Sequence, residues 1–252
     1  MAVDLMPLYL AGLWCMVAKP DASASEPGTR WPLLLFLHGS GERGPPDGQS
    51  LHLVANHGPW KAPGLNKFMG VAPQCPSGLT WCGLAEQVAA LTRALFRRCK
   101  QLDPRRCVLS GLSMGAFGCW SVVSAAPGLF GCVLAVCGGW APALPRDTPL
   151  STVVARAKQK LTLREAREVS GAARRTKVWL FHGAKDTRVS PNGSRALYRA
   201  LLGGKRRSSK FRMTVFPGMG HAVWARSFKT AGLLEWAATP VAPATMKRKR
   251  RA

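Results

Sequence analysis

Six short, nearly unbroken apolar runs restrict what this 252-residue chain can fold into. They are residues 33–37 (LLLFL, ended by His38-Gly39), 68–72 (ended by Pro73), 107–110 (ended by Gly111), 132–137 (ended by Gly138-Gly139), 177–181 (ended by His182-Gly183) and 211–216 (ended by Pro217-Gly218). Apolar runs of this length without polar alternation are strands covered on both faces, which is how parallel sheets read. Helical patterns alternate with them. Residues 84–100 place Leu84, Val88, Leu91, Leu95 and Phe96 near a 3.6-residue period. Residues 114–126 are small and apolar all round, as a buried central helix would be. Residues 190–202 open with a Ser190 cap followed by Pro191 in the first turn. Residues 223–237 close the series.

Strand–helix alternation predicts the α/β class: a mostly parallel, doubly wound sheet with helices on both faces. Right-handed crossovers then gather the strand C-termini at one edge, where ligands bind. Two further β-prone stretches, 8–10 and 13–17, precede the first long run. The apolar segment containing them, 6–18, is too short to span a bilayer. Asp4 is the only charged side chain before it, so it lacks the positive region of a signal peptide. We expect neither a transmembrane segment nor a leader. One α/β domain is expected over 1–239, followed by a disordered basic tail, 240–252. Residues 21–30 (DASASEPGTR) read as a polar loop. Residues 141–176 leave the sheet at its ligand-binding edge, so they are placed to form either a small cap or an ordinary connecting helix. The oligomeric state is not legible.

The chain carries 36 Lys and Arg against 12 Asp and Glu, a formal charge of +24. Such a balance raises nucleic acid or an anionic surface as a partner. The positive residues are spread over many segments, however, and only Lys247 to Arg251 forms a dense run. Scattered charge argues against nucleic-acid binding as the main function; the tail reads as a nuclear-localisation patch or a solvated extension. Eight cysteines include no CxxC pair, and several lie in apolar runs. That pattern suggests buried thiols in a reduced, cytoplasmic compartment rather than a disulfide framework or a zinc site.

The chemistry concentrates at strand ends. Gly111-Leu112-Ser113-Met114-Gly115 is a GxSxG pentapeptide that follows an expected strand and opens an expected helix, the context that makes Ser113 a nucleophile. A serine hydroxyl needs a base, and the base needs an orienting carboxylate, in the chain order Ser, acid, His. Asp186 follows the run 177–181 and His221 follows 211–216, so both occupy loops at the same edge. In a chain so poor in acids, Ser113, Asp186 and His221 are the expected catalytic residues. The glycine-rich turn His38-Gly39-Ser40-Gly41-Glu42-Arg43-Gly44 can aim a backbone N–H at a substrate oxygen. Ser40 is the expected donor, with Gly39 and Gly41 as near alternatives. The N–H of Met114 would be the second donor of an oxyanion hole. His38 and His182 read as edge-shaping residues, and His52 and His57 as structural or surface residues of a helical stretch. No metal or cofactor site is expected. Of Trp60, Trp81, Trp140 and Trp224, most are expected to be packing and one or two to line a pocket.

Together, LLLFLHGSGERG (33–44), VAPQCP (71–76), LSGLSMGAFG (109–118), FHGAKD (181–186) and GMGHAVW (218–224) resemble the phospholipase/carboxylesterase group of the α/β-hydrolase superfamily. The resemblance is to its branch of predicted peptidases and dienelactone-hydrolase-like esterases, and it runs from about residue 9 to residue 236. It implies a Ser–His–Asp triad, a two-donor oxyanion hole and hydrolysis of small-molecule carboxylic esters without a cofactor. Ala116 departs from a usual third glycine, and Ala222 from a commonly polar position. The nucleophile position is Ser113, not the cysteine of true dienelactone hydrolases. Thioester or peptide-amide cleavage on the same residues is an alternative, as is polyanion binding on a hydrolase scaffold.

Overall fold

Successive side chains of a strand point to opposite faces of its sheet, and this alternation divides the core into two layers. The protein is described by a computed structural model covering residues 4–21, 23 and 28–241. The basic run Lys247 to Arg251 and most of the tail lie outside the described residues. Eight strands form one sheet: β1 (Leu5–Leu10), β2 (Leu13–Ala18), β3 (Trp31–Leu37), β4 (Met69–Pro73), β5 (Leu102–Leu112), β6 (Cys132–Val136), β7 (Lys177–Gly183) and β8 (Phe211–Phe216). Their order is β1-β2-β4-β3-β5-β6-β7-β8. The hairpin of β1 and β2 joins β4 antiparallel, and every pair among β3 to β8 is parallel. The six apolar runs are therefore the six parallel strands. The mostly parallel, doubly wound sheet expected from the sequence is the observed one.

On one face, Leu33, Leu35, Leu37, Leu109, Val133 and Leu180 pack under α1 (Ala85–Arg98), α2 (Met114–Ala125), α4 (Leu163–Ala172) and α5 (Pro191–Leu202). On the other, Leu34, Phe36, Val108, Leu134 and Phe181 pack under short 3-10 turns, α6 (Trp224–Phe228) and α7 (Leu233–Ala238). Helix α2 is buried from Met114 to Val123, so it has no polar face to reveal a period. Segment 141–176 supplies α3 (Leu150–Ala155) and α4, and Val169 and Ala172 of α4 enter the core.

Three elements differ from expectation. The closing helix is two helices, because Gly232 turns left-handed (φ 65°) and starts α7 afresh. Strand β5 begins five residues early, through a polar stretch in which Asp103 accepts from the side chains of Arg105 and Arg106. Helix α3 has a single buried residue, Val153, and so no periodic signal. All eight cysteines are free. Burial pushes the Cys15 and Cys132 thiols up to about 12, which makes them small apolar groups rather than reactive ones. No helix among the described residues is long and apolar enough to cross a membrane.

His38 locks the edge of β3, as the sequence suggested. Its Nε2 accepts the Cys75 N–H at 2.9 Å, and its Nδ1 lies 2.6 Å from the Gly39 carbonyl, which only accepts. The ring is therefore the neutral Nδ1–H tautomer; a second proton on Nε2 would face a donor. Burial pushes its pKa down to about 4, against the pull of the Gly39 carbonyl and with help from the Arg43 charge. Glu42 lies 3.9 Å from Nδ1, too far to accept its proton, and burial prevails. A histidine with a depressed folded pKa stabilises the fold above its unfolded pKa, about 6.5, and loses that contribution as pH falls towards 4. We predict a loss of roughly 3 kcal/mol between pH 7 and pH 4 from this residue. Urea unfolding at the two pH values measures it: His38→Gln must be less stable at pH 7 and show a clearly shallower pH slope than wild type.

Candidate active site

The C-terminal ends of β5, β7 and β8 present Ser113, Asp186 and His221 to one another. Ser113 sits between β5 and α2 with φ 51° and ψ −116°, a conformation that a side-chain-bearing residue adopts only under constraint. Close packing imposes it. A Cβ on Gly115 would stand 1.9 Å from the Leu37 carbonyl oxygen, and one on Gly111 would stand 2.4 Å from the Gly115 carbonyl oxygen. Two glycines thus let helix and strand meet, and the chain must turn sharply at the serine between them. The Ser113 N–H donates to the Val136 carbonyl at 2.8 Å, fixing the turn to β6. Ala116, in place of a third glycine, is tolerated because its neighbour is Gly138, where a Cβ would lie 2.5 Å from the Ala116 Cβ.

His221 bridges the other two residues. Its Nε2 is 3.0 Å from Ser113 Oγ and its Nδ1 is 2.7 Å from Asp186 Oδ2. The carboxylate only accepts, so Nδ1 carries the proton and the Nε2 lone pair faces the hydroxyl. The His221 loop is tied down at both ends: the Lys185 N–H donates to the Met219 carbonyl at 2.8 Å, and the His221 carbonyl accepts from the Cys137 thiol at 3.0 Å and the Val223 N–H at 2.9 Å.

Asp186 is enclosed. Its Oδ1 accepts the Arg188 and Val189 N–H groups, both at 2.9 Å, and its Oδ2 accepts from His182 Nε2 at 3.1 Å as well as from His221. Burial alone would raise its pKa. The hydrogen bonds from His182, His221 and Val189 outweigh it and hold the carboxyl well below the usual carboxylate range. His182, read from the sequence as an edge-shaping residue, does this by reaching Ser194 Oγ (2.8 Å) with Nδ1 and Asp186 with Nε2.

Ser40 opens a 3-10 turn, Ser40–Glu42, and lines a pocket of about 180 Å³ together with Ser113 and His221. Met114 is the first residue of α2, where an N–H has no carbonyl one turn earlier to bond. Neither N–H is engaged in a turn or loop bond among the described residues. Three residues of this pocket were not anticipated as functional, Glu42, His57 and Arg188, whereas Trp224 was among the tryptophans of which one or two were expected to line a pocket. Glu42 is buried, 5% exposed, and its Oε1 accepts from His57 Nδ1 at 2.6 Å. His57 lies beyond the short turn Leu51–Ala55 rather than within a helix, and its ring meets Trp224 edge-on at 5.0 Å. An acid inside the glycine-rich turn of so basic a chain was the available signal. Of the four tryptophans near the edge, Trp81 and Trp140 are core, whereas Trp60 and Trp224 line cavities.

Cys137, Asp186 and His221 present metal-type ligand atoms within 4.8 Å of one another. They suit a metal poorly. Asp186 and His221 are bonded to each other, and burial together with the Asp186 charge pushes the Cys137 thiol up to about 12.

The model of the prolyl oligopeptidase family matches residues 83–239, well over half of the chain. No curated protein matches. Among solved structures, a thermostable esterase superposes with a TM-score of 0.70 at 22% identity, over 93% of this chain and 62% of that one. TT1662 from Thermus thermophilus gives 0.65 at 22% identity, over 95% of this chain and 100% of that one. A Mycobacterium tuberculosis puromycin-hydrolysing peptidase gives 0.65 at 15% identity, over 95% of this chain and 40% of that one. The chain thus spans less than two thirds of that esterase and of that peptidase, but the full length of TT1662. At these identities the superpositions speak to the fold, which is that of the α/β-hydrolases. With the fold, the edge geometry and the family model in agreement, this chain belongs to the prolyl oligopeptidase family, a hydrolase family of the α/β-hydrolase superfamily.

Proposed function

We propose that this chain hydrolyses carboxylic esters through an acyl-enzyme on Ser113. The observation that carries the reading is His221, which spans Ser113 and Asp186 with its proton held on the Asp186 side. His221 Nε2 takes the Ser113 proton as Oγ attacks the ester carbonyl. The positive charge that develops on the imidazole is balanced by buried Asp186. The tetrahedral oxyanion is met by the N–H groups of Ser40 and Met114. His221 then gives its proton to the leaving alcohol, and water, activated by the same nitrogen, attacks the acyl-enzyme carbonyl and releases the acid. The sharp turn at Ser113 brings the hydroxyl to the first turn of α2, whose dipole favours the developing negative charge.

A second reading, cleavage of peptide or other amides on the same residues, is favoured by the match to a peptidase family model. The two differ in the leaving group: an amine must be protonated as it departs, whereas an activated alcohol departs more readily. A matched panel of ester, thioester and anilide with one acyl group separates them. We expect the ester to be turned over fastest.

Two substitutions test the assignments. Asp186→Asn removes the acceptor that sets the His221 tautomer, so kcat is expected to fall on the order of 10⁴-fold with the fold retained by circular dichroism. Ser40→Pro removes one N–H and little else. Gly39 is already extended (φ −78°, ψ −176°), as a residue before proline must be, and the first position of the turn tolerates proline. We expect kcat to drop about 10²-fold with KM little changed. An unaltered kcat would move the donor to Gly39 or Gly41.

A further inference from the structure

Beside the pocket over Ser113 lies a larger cavity of about 330 Å³. The two share His57 and Trp224 as a common wall. A substrate whose reacting carbonyl sits at Ser113 therefore has a neighbouring compartment for one of its halves. Its floor is apolar. Trp60 and Phe228 are 9% and 3% exposed, and both rings pack edge-on against Phe36 at about 6 Å. The Trp60 indole N–H is already spent on the Val54 carbonyl at 3.0 Å, so the ring offers only its apolar surface.

The rim has the opposite character. Lys61 and Lys229 line the cavity and are exposed. Neither makes a salt bridge or a side-chain hydrogen bond among the described residues, and no acid lines this cavity. Across the shared wall, the smaller pocket carries one more cation, Arg188, whose guanidinium has no acidic partner there. The one acid of that pocket, Glu42, is bonded to His57. An apolar floor of two buried aromatic rings, rimmed by two lysines without an acidic partner among the described residues, selects a flat apolar group that ends in negative charge.

We propose that this cavity is the specificity subsite of the enzyme and that it takes the aryl or compact alkyl half of a substrate bearing an anionic substituent, a carboxylate or a phosphate, at the Lys61 and Lys229 rim. The proposal rests on Ser113 as the nucleophile. It gives part of the +24 charge a function that needs no nucleic acid: a local field that concentrates and orients anionic esters.

The test compares 4-acetoxybenzoate with its neutral carboxamide, 4-acetoxybenzamide, and with 4-acetoxyphenyl phosphate. Relative kcat/KM is measured on wild type and on Lys61→Gln/Lys229→Gln. Wild type is expected to prefer the anions, with the difference in KM. The double substitution is expected to reduce the anion-to-carboxamide ratio about fivefold or more, as two solvent-exposed ion pairs allow, and raised salt is expected to reduce it in wild type. The benzoate and phosphate arms show which anion fits. In parallel, Ser113→Ala protein, with and without the two lysine substitutions, is titrated with 4-acetoxybenzoate by tryptophan fluorescence, since Trp60 and Trp224 line the cavity. Binding weakened about fivefold or more by the lysine substitutions supports the subsite even if no ester is turned over. An unchanged ratio and unchanged binding overturn the subsite while leaving the nucleophile standing. Ester hydrolysis that persists in Ser113→Ala overturns the nucleophile and does not bear on binding at the lysines.

Discussion

The close approach of α2 to the end of β5 is the constraint from which the rest of the site follows. A helix can enter the sheet edge here only because Gly111 and Gly115 lack side chains that would strike the Gly115 and Leu37 carbonyl oxygens. The cost is a left-handed serine at 113, on the order of 1–3 kcal/mol, carried by a core that buries α2 from Met114 to Val123 and β5 from Cys107 to Leu112. What the strain gains is position. It lifts Oγ clear of the sheet, sets it 3.0 Å from His221 Nε2 and leaves the first N–H of α2 without a helical partner.

The second constraint is electrostatic. A chain with three basic residues for every acid places one of its few carboxylates, Asp186, out of water and surrounds it with two backbone N–H groups and two imidazoles. Because Oδ1 is saturated by backbone and Oδ2 by rings, the carboxylate has little freedom to rotate. His221 is thereby held in one tautomer and one orientation. His182 takes part in that arrangement from below: its Nδ1 lies 2.8 Å from Ser194 Oγ, which in turn lies 2.8 Å from the Gly138 carbonyl oxygen. Asp186, β6 and α5 are in this way joined by a buried polar chain, which ties the position of His221 to the packing of the sheet.

Much of this was legible in the sequence, for identifiable reasons. Strands buried on both faces have nothing polar to alternate with, so 33–37 and 132–137 declared themselves as apolar runs, and the residues just after such runs had to lie at the ligand edge. Ser113, Asp186 and His221 follow such runs, and the structure brings the three side chains together. Legibility ended where the signal was weak or long-range. Residues 223–237 keep a helical pattern across the Gly232 turn, so periodicity alone could not divide α6 from α7. The Glu42–His57 contact joins two loops fifteen residues apart and depends on how both fold over β3 and β4. The compartment between Trp60 and Trp224 needs residues 164 positions apart to meet, and no local pattern encodes that.

The central claim is that Ser113 is the nucleophile, and the most direct measurement is where a fluorophosphonate bonds. The account predicts a single covalent adduct, located by peptide mass on the fragment containing Ser113, and its disappearance in Ser113→Ala protein of unaltered circular dichroism. The buried Ser110 and Ser121, whose hydroxyls donate to the Leu134 and Ala141 carbonyls, are predicted to remain unlabelled. An adduct on any other serine, or ester hydrolysis of wild-type rate in Ser113→Ala, would contradict the account.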